Sequence, residues 1–263
     1  PTRILRAIRF EQRFGFQLGR LTQSLIENAV KFNFLERLDG RRLLSELILM
    51  LQEEEANLNL ERMRELSVLS CIHPAFTFDK TRKALCQRIR EAIRWYELSF
   101  LEDGYCQWKI YFMALIDGLA KNEVVHVCRR LCFSEKEQQE LLAGREQIKN
   151  VLVKMARRRT LGTSELYHLL KPLSVEGLLY LMGRVSRREA QKAISNFVTQ
   201  LRHTAIETRG EDLKKLGLQP GRLYKEILDS LLDARLEGKV QTKADEIGYV
   251  RRHFLKGGAA QGD

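Results

Sequence analysis

Pro1-Thr2-Arg3-Ile4-Leu5-Arg6-Ala7-Ile8-Arg9-Phe10-Glu11 reads as a helix from its first residues. Proline suits the first helical turn, where its missing N–H costs no hydrogen bond. At about 100° per residue, Arg3, Arg6, Arg9 and Arg13 fall within roughly 120° of one face, and Ile4, Leu5 and Ile8 form an apolar stripe beside them. Four guanidiniums on one face repel one another, so an anion is expected opposite them. Gly15 is expected to end the helix in the left-handed region that glycine enters freely.

Outward from this helix the same period continues, and no alternating strand pattern competes with it. Thr22 is expected to cap a helix carrying Leu25, Ile26, Ala29 and Val30 on its core side. Asp39 opens the next, with Leu43, Leu44, Leu47, Ile48 and Leu51 facing inward. Arg42 and Glu46, four apart on it, are expected to pair on the surface. Glu53-Glu54-Glu55 marks a helix end. Further helices are expected over 58–69, 81–100, 108–120, 124–132 and 135–155, the 108–120 helix being apolar almost all round and therefore central. Lys154, Arg157, Arg158 and Arg159 form the densest positive cluster, at a helix carboxyl end. Thr160 to Ser164 reads as a linker, Ser164 and Ser174 as caps, and 187–202 as another amphipathic helix. Helices also follow Gly221 and Thr242, and the small polar residues Gly257 to Asp263 are expected to be disordered.

Composition narrows the function. The 263 residues are 44% hydrophobic and 30% charged, with only 4 Pro, as expected of a folded, loop-poor, all-helical chain. The net charge of +11 favours an anionic partner, nucleic acid before membrane surface. No apolar stretch approaches the roughly 18 residues that span a bilayer. The cysteines, Cys71, Cys86, Cys106, Cys128 and Cys132, are odd in number and lack a Cys-x-x-Cys pair. They are read as reduced core or idle thiols, with no metal site, which implies a cytoplasmic location.

Arg3 through Phe10, followed by Gly15-Phe16, resembles the neck-helix motif of class II tRNA nucleotidyltransferases and bacterial poly(A) polymerases. In that family the helix begins Glu-Asp-x-x-Arg and continues x-x-Arg-Ala-x-Arg-Phe. Arg3 sits at the first Arg; the Glu and Asp would precede Pro1. The chain is therefore expected to be the carboxyl-terminal part of a longer enzyme. A second stretch carries the tail signature of the same enzymes: Gly210-Glu211-Asp212-Leu213, Leu216-Gly217-Leu218-Gln219-Pro220-Gly221, then Tyr224, Ile227 and Leu228.

The resemblance implies an all-α, elongated neck (1–56), body (57–160) and tail (161–263), without the α/β head that holds the catalytic carboxylates. It implies no catalytic residue and no cofactor in this stretch, with Mg2+ and ATP or CTP serving the whole enzyme. Arg3 would recognise the incoming base, with Arg6 and Arg9 bracing the pocket or meeting phosphate. Lys154, Arg157, Arg158 and Arg159 would grip tRNA or another RNA 3′ end. So would Gly221, Arg222 and Lys225, around a helix start whose free N–H groups attract phosphate. Of the family's Glu-Arg-x-x-x-Glu support element, Arg42 and Glu46 carry over. Asp117 lies in a helix that resembles a phosphohydrolase signature in related enzymes, but the adjacent His is replaced by Ile116, so no hydrolysis is expected there. The competing reading is a non-catalytic helical scaffold for an acidic protein or RNA.

Overall fold

A computed structural model describes residues 2–158 and 161–255. The expectations for Pro1, Arg159, Thr160 and 257–263 fall outside them. The described residues contain fifteen α-helices and no strand, so the all-α class holds. They gather into two compact units. The larger comprises residues 2–153 and 173–191, the smaller 154–158, 161–172 and 192–255.

The larger unit begins with α1 (Thr2–Phe14), α2 (Arg20–Lys31), α3 (Gly40–Leu51), α4 (Ala56–Glu65) and α5 (Val68–Ile72). The apolar stripe of α1 is buried through Leu5 and Ile8, and the helix packs on α3 and α4. The Leu43, Leu47, Met50 and Leu51 side chains of α3 are fully buried. Gly15 follows α1 with φ 68°, as expected of a glycine that turns the chain back. Asp39 caps α3 by accepting the Arg42 N–H at 3.0 Å. Thr22 does not cap α2. That helix starts at Arg20 behind Gly19, and only Ile26 and Ala29 are buried along it. The expected 58–69 helix is two helices, split at Ser67, whose φ is 56°.

The rest of this unit is α6 (Lys80–Leu98), α7 (Gln107–Leu115), α8 (Lys121–Arg130), most of α9 (Glu135–Arg157), α11 (Val175–Arg184) and the start of α12 (Arg188–Thr199). α11, buried at every position from Val175 to Gly183 except Glu176, packs on α6 and α7. It shares the central place expected for α7. α7 itself is short, because the chain turns at Asp117-Gly118, where Gly118 has φ 77°. The α6–α11 contact is tight: a Cβ at Gly183 would lie 2.7 Å from an Ile89 side-chain carbon, so only glycine lets the helices meet there. Ser174 caps α11, accepting the Gly177 N–H.

The smaller unit holds α10 (Thr163–Leu170), α13 (Gly210–Lys215), α14 (Arg222–Leu236) and α15 (Lys243–Val250), ending in a π-turn over Arg251–Leu255. Leu213, Ile227, Leu231 and Val250 form its buried core with Ile206, Leu216, Leu218 and Tyr224 packed around them. Thr242 and Asp245 cap α15 reciprocally. Ser164 is not a cap. Gly162 occupies that position, and the Ser164 hydroxyl donates to Asp233 on α14 at 2.5 Å.

Candidate nucleic-acid interface

The arginine face of α1 meets carboxylates of the chain itself. Arg6 Nη2 lies 2.6 Å from Glu46 Oε1 on α3. Arg9 and Arg13 both reach Glu53 Oε1, at 3.2 and 3.5 Å. The anion expected opposite the four guanidiniums is therefore, for three of them, protein. Arg3 is exposed and has no hydrogen bond or ion pair among the described residues.

The pairing expected for Glu46 needs correction. Its partner is Arg6, 40 residues away, instead of Arg42. Glu46 sits on the inward face of α3 with Leu43, Leu47 and Met50, where α1 packs, and is 6% exposed. Arg42 lies on the outer face, and its N–H closes the Asp39 cap. Among the described residues, Glu46 Oε2 and Arg9 Nε are buried without a hydrogen-bond partner.

A second carboxylate organises the end of α1. Glu11, 5% exposed, accepts Arg62 Nε at 2.8 Å and the Leu18 N–H at 2.9 Å, tying α1 to α4 and to the chain that follows it. Burial alone raises the Glu11 carboxyl; the hydrogen bonds from Arg62 and Leu18 outweigh it and hold the pKa below the ordinary value. Sequence reasoning missed Glu11, Glu53 and Arg62. One signal was present: Ile4, Ile8 and Glu11 share a helix face, and a carboxylate on an apolar face needs a buried partner.

The other expected contacts belong to the smaller unit. Lys154 and Arg157 are exposed in the last turn of α9, where cations meet the negative end of the helix dipole. Arg158 follows, its Nη1 held between the Glu165 oxygens at 2.8 and 3.0 Å, so its charge is matched within the chain. Gly221 precedes α14 and offers no side chain to cap it, leaving the first N–H groups of the helix open. Arg222 is 95% exposed, with Glu226 at 3.7 Å, and Lys225 is exposed.

The five cysteines are free thiols. Burial pushes Cys86 up to about 12 and Cys128 up to about 11, so neither presents a thiolate near neutrality. Among the described residues no group of three or more His, Cys, Asp or Glu is placed to hold a metal ion. Among the same residues no helix is long and apolar enough to cross a membrane.

No protein-family model matches the sequence. Individual relatives do. Over 256 residues, 96% of the chain, it is 41% identical to the A-adding tRNA nucleotidyltransferase of Geobacter sulfurreducens. The chain is homologous to part of the tRNA nucleotidyltransferases. It is 29% identical, over 86% of its length, to the A-adding tRNA nucleotidyltransferase of Aquifex aeolicus. It spans only 29% and 27% of these two relatives. Among solved structures, the Thermotoga maritima CCA-adding enzyme complexed with tRNA superposes with a TM-score of 0.80 at 25% identity. That match covers 96% of this chain and 60% of that one. A CCA-adding enzyme solved with CTP gives 0.78, also at 25% identity. The nucleotidyltransferase resemblance of the α1 and tail motifs thus extends over nearly the whole chain.

Proposed function

We propose that this chain is the RNA-gripping part of an enzyme that adds nucleotides to tRNA 3′ ends, and that it supplies one wall of the nucleotide pocket. The observation that carries the reading is Arg3. Of the arginines on its face of α1, Arg6, Arg9 and Arg13 are held by Glu46 and Glu53, and Arg3 keeps its donors for a ligand.

A guanidinium has donors only. Adenine and cytosine present a bare ring nitrogen beside an exocyclic amine, and that nitrogen accepts from Arg3. Guanine and uracil present a ring N–H there, which leaves two donors facing each other. Each unpaired group in a dry pocket costs about 1–3 kcal/mol, enough to favour A and C. Arg6 and Arg9 brace the helix that carries Arg3 and do not touch the base. Glu46 supports Arg6 and Glu53 supports Arg9, and Arg42 acts through the Asp39 cap. The relatives at 41% and 29% identity are both named A-adding, which favours adenosine over a full CCA triplet.

Lys154, Arg157, Arg222, Lys225 and the open start of α14 would meet phosphates of the RNA, which need no base-reading motif because duplex RNA is read by shape and backbone. Arg158 contributes less, since Glu165 already neutralises it. ATP or CTP and Mg2+ would be held by parts of the enzyme beyond this sequence. The chain by itself is accordingly proposed to be inactive, and to work in the cytoplasm, where its thiols stay reduced.

Fluorescence anisotropy with a labelled tRNA tests the grip. Binding by this chain is expected to weaken linearly in log affinity against log salt. The double variant Lys154→Glu, Arg157→Glu is expected to lose about tenfold or more in affinity. Absence of binding, or binding indifferent to salt, overturns the reading.

A further inference from the structure

Where α7 ends, Asp117 to Ala120 turn toward α8, and this turn is fixed from outside. Arg82 Nη2 donates to the Asp117 carbonyl at 2.8 Å, and Arg145 on α9 donates to the Leu119 carbonyl. The Asp117 carboxylate accepts Arg184 Nε at 3.1 Å. Burial, together with the Asp117 charge and hydrogen bond, raises the Tyr180 phenol far above its ordinary value, so it stays a neutral donor. The turn, the carboxylate and the phenol are thus set before any ligand arrives, which lowers the ordering cost of binding.

Beside the turn opens a cleft of about 730 Å3 between the end of α7, the start of α8, α9 and α11. The size falls in the roughly 300–1,000 Å3 range of small-molecule sites. Its walls divide by chemistry. Met113, Ile116, Leu142 and Ile148 give an apolar floor. Lys121, Arg145, Lys149 and Arg184 outnumber Asp117 and Glu146, so the opening is positive. Arg145 and Arg184 are engaged by the turn, whereas Lys121 and Lys149 are exposed and have no ion pair among the described residues. No lining residue lies on α1.

We propose that this cleft binds a phosphate-bearing nucleotide, the base against the apolar floor and the phosphate at Lys121 and Lys149. Inorganic phosphate alone leaves the floor wet, and a neutral apolar ligand gains nothing from the two exposed ammonium groups. A free mononucleotide and a nucleotide within an RNA strand offer the same chemistry. The site goes beyond the base-recognition role of Arg3 and stands independently of it.

Calorimetric titration of the chain with AMP, with inorganic phosphate and with a short single-stranded oligoadenylate tests the proposal. AMP is expected to bind at least about tenfold more tightly than inorganic phosphate. Lys149→Glu and Lys121→Glu are each expected to lower AMP affinity about tenfold without moving the melting temperature. A loss confined to AMP makes the free nucleotide the ligand, and a loss confined to the oligonucleotide makes it the strand. The proposal is overturned if neither variant changes AMP or oligonucleotide binding, or if inorganic phosphate binds as tightly as AMP. Since Lys121 and Lys149 are exposed and have no ion pair among the described residues, both variants are expected to fold. Leu142→Gln, on the floor, adds a third that weakens AMP and spares inorganic phosphate. Loss of tRNA binding in the Lys154→Glu, Arg157→Glu variant leaves the AMP result unchanged, so the two readings fail separately.

Discussion

Glu246 in the smaller unit and Glu46 in the larger are both buried glutamates, 0% and 6% exposed, yet their surroundings differ. Glu246 Oε2 accepts from the Thr208 N–H and hydroxyl, each at 2.8 Å, and from the Glu207 N–H at 3.1 Å. Its Oε1 takes Arg235 Nη1 at 2.6 Å. Every lone-pair direction has a donor, and the donors come from the loop before α13 and from α14, so the carboxylate fastens α15 to both. Glu46 has Arg6 on one oxygen and, among the described residues, no donor on the other. A saturated buried carboxylate is a brace. A half-satisfied one beside an arginine-rich helix marks a place where packing was not the sole demand on the sequence.

The largest effect is expected at Glu246. Glu246→Ala leaves the Thr208 and Glu207 donors and the Arg235 charge without their acceptor, and is expected to destabilise the smaller unit by about 3–5 kcal/mol. Urea unfolding followed by circular dichroism reads the loss; a change under about 1 kcal/mol would show that the hub is incidental. Glu11 is the nearest counterpart in the larger unit. Glu11→Gln keeps the shape but removes the charge that Arg62 meets, and is expected to cost about 2–3 kcal/mol in the same measurement.

Acid probes the buried carboxylates without mutation. Burial raises the Glu246 carboxyl, but the Thr208, Arg235 and Glu207 donors outweigh it, and its pKa is lowered from 4.5, as is that of Glu11. A carboxylate with a depressed folded pKa contributes stability that is full above its unfolded value and is lost as pH falls through the folded one. Stability is therefore expected to hold from neutrality to near 4.5 and to decline below it. Unfolding midpoints in a pH series check this, and Glu246→Gln is expected to flatten the decline. A wild-type profile as flat as the variant's refutes the assignment.

These carboxylates also show where sequence stops being legible. The helices, the Gly15 turn and the Asp39, Ser174 and Thr242 caps are local, and periodicity with the right polar residue at the right offset reveals them. Thr22 and Ser164 mislead because a nearby glycine takes the cap position, and no residue pattern says which of two candidates starts the helix. The arginine face of α1 is visible in eleven residues, and its partners are not. Glu46 and Glu53 stand 40 and 44 residues from Arg6 and Arg9, and Arg62 stands 51 from Glu11. Such pairs exist only once α1 has packed on α3 and α4. Glu53 reads as the end of a helix because a run of three glutamates there says solvent, while Glu53 meets Arg9 and Arg13 and Glu55 meets Arg90 and Arg94.

The smallest expected stability change comes from the residue proposed to matter most for function. Arg6→Ala strips Glu46 of its one partner and is expected to cost about 1–3 kcal/mol, a structural loss. Arg3→Ala removes an exposed side chain with no partner among the described residues, and is expected to alter stability by less than about 0.5 kcal/mol. In the nucleotide-adding enzyme proposed to contain this chain, the two should part in the opposite sense. Arg3→Ala is expected to lower discrimination of ATP against GTP about tenfold while leaving tRNA affinity intact. Arg6→Ala should lower thermal stability first, and activity only as the fold is lost. Single-turnover incorporation with each nucleotide, beside a melting curve for each variant, reads both axes. Equal losses of stability in the two variants, or unchanged discrimination in Arg3→Ala, would mean that the free guanidinium is simply the frayed end of a structural row.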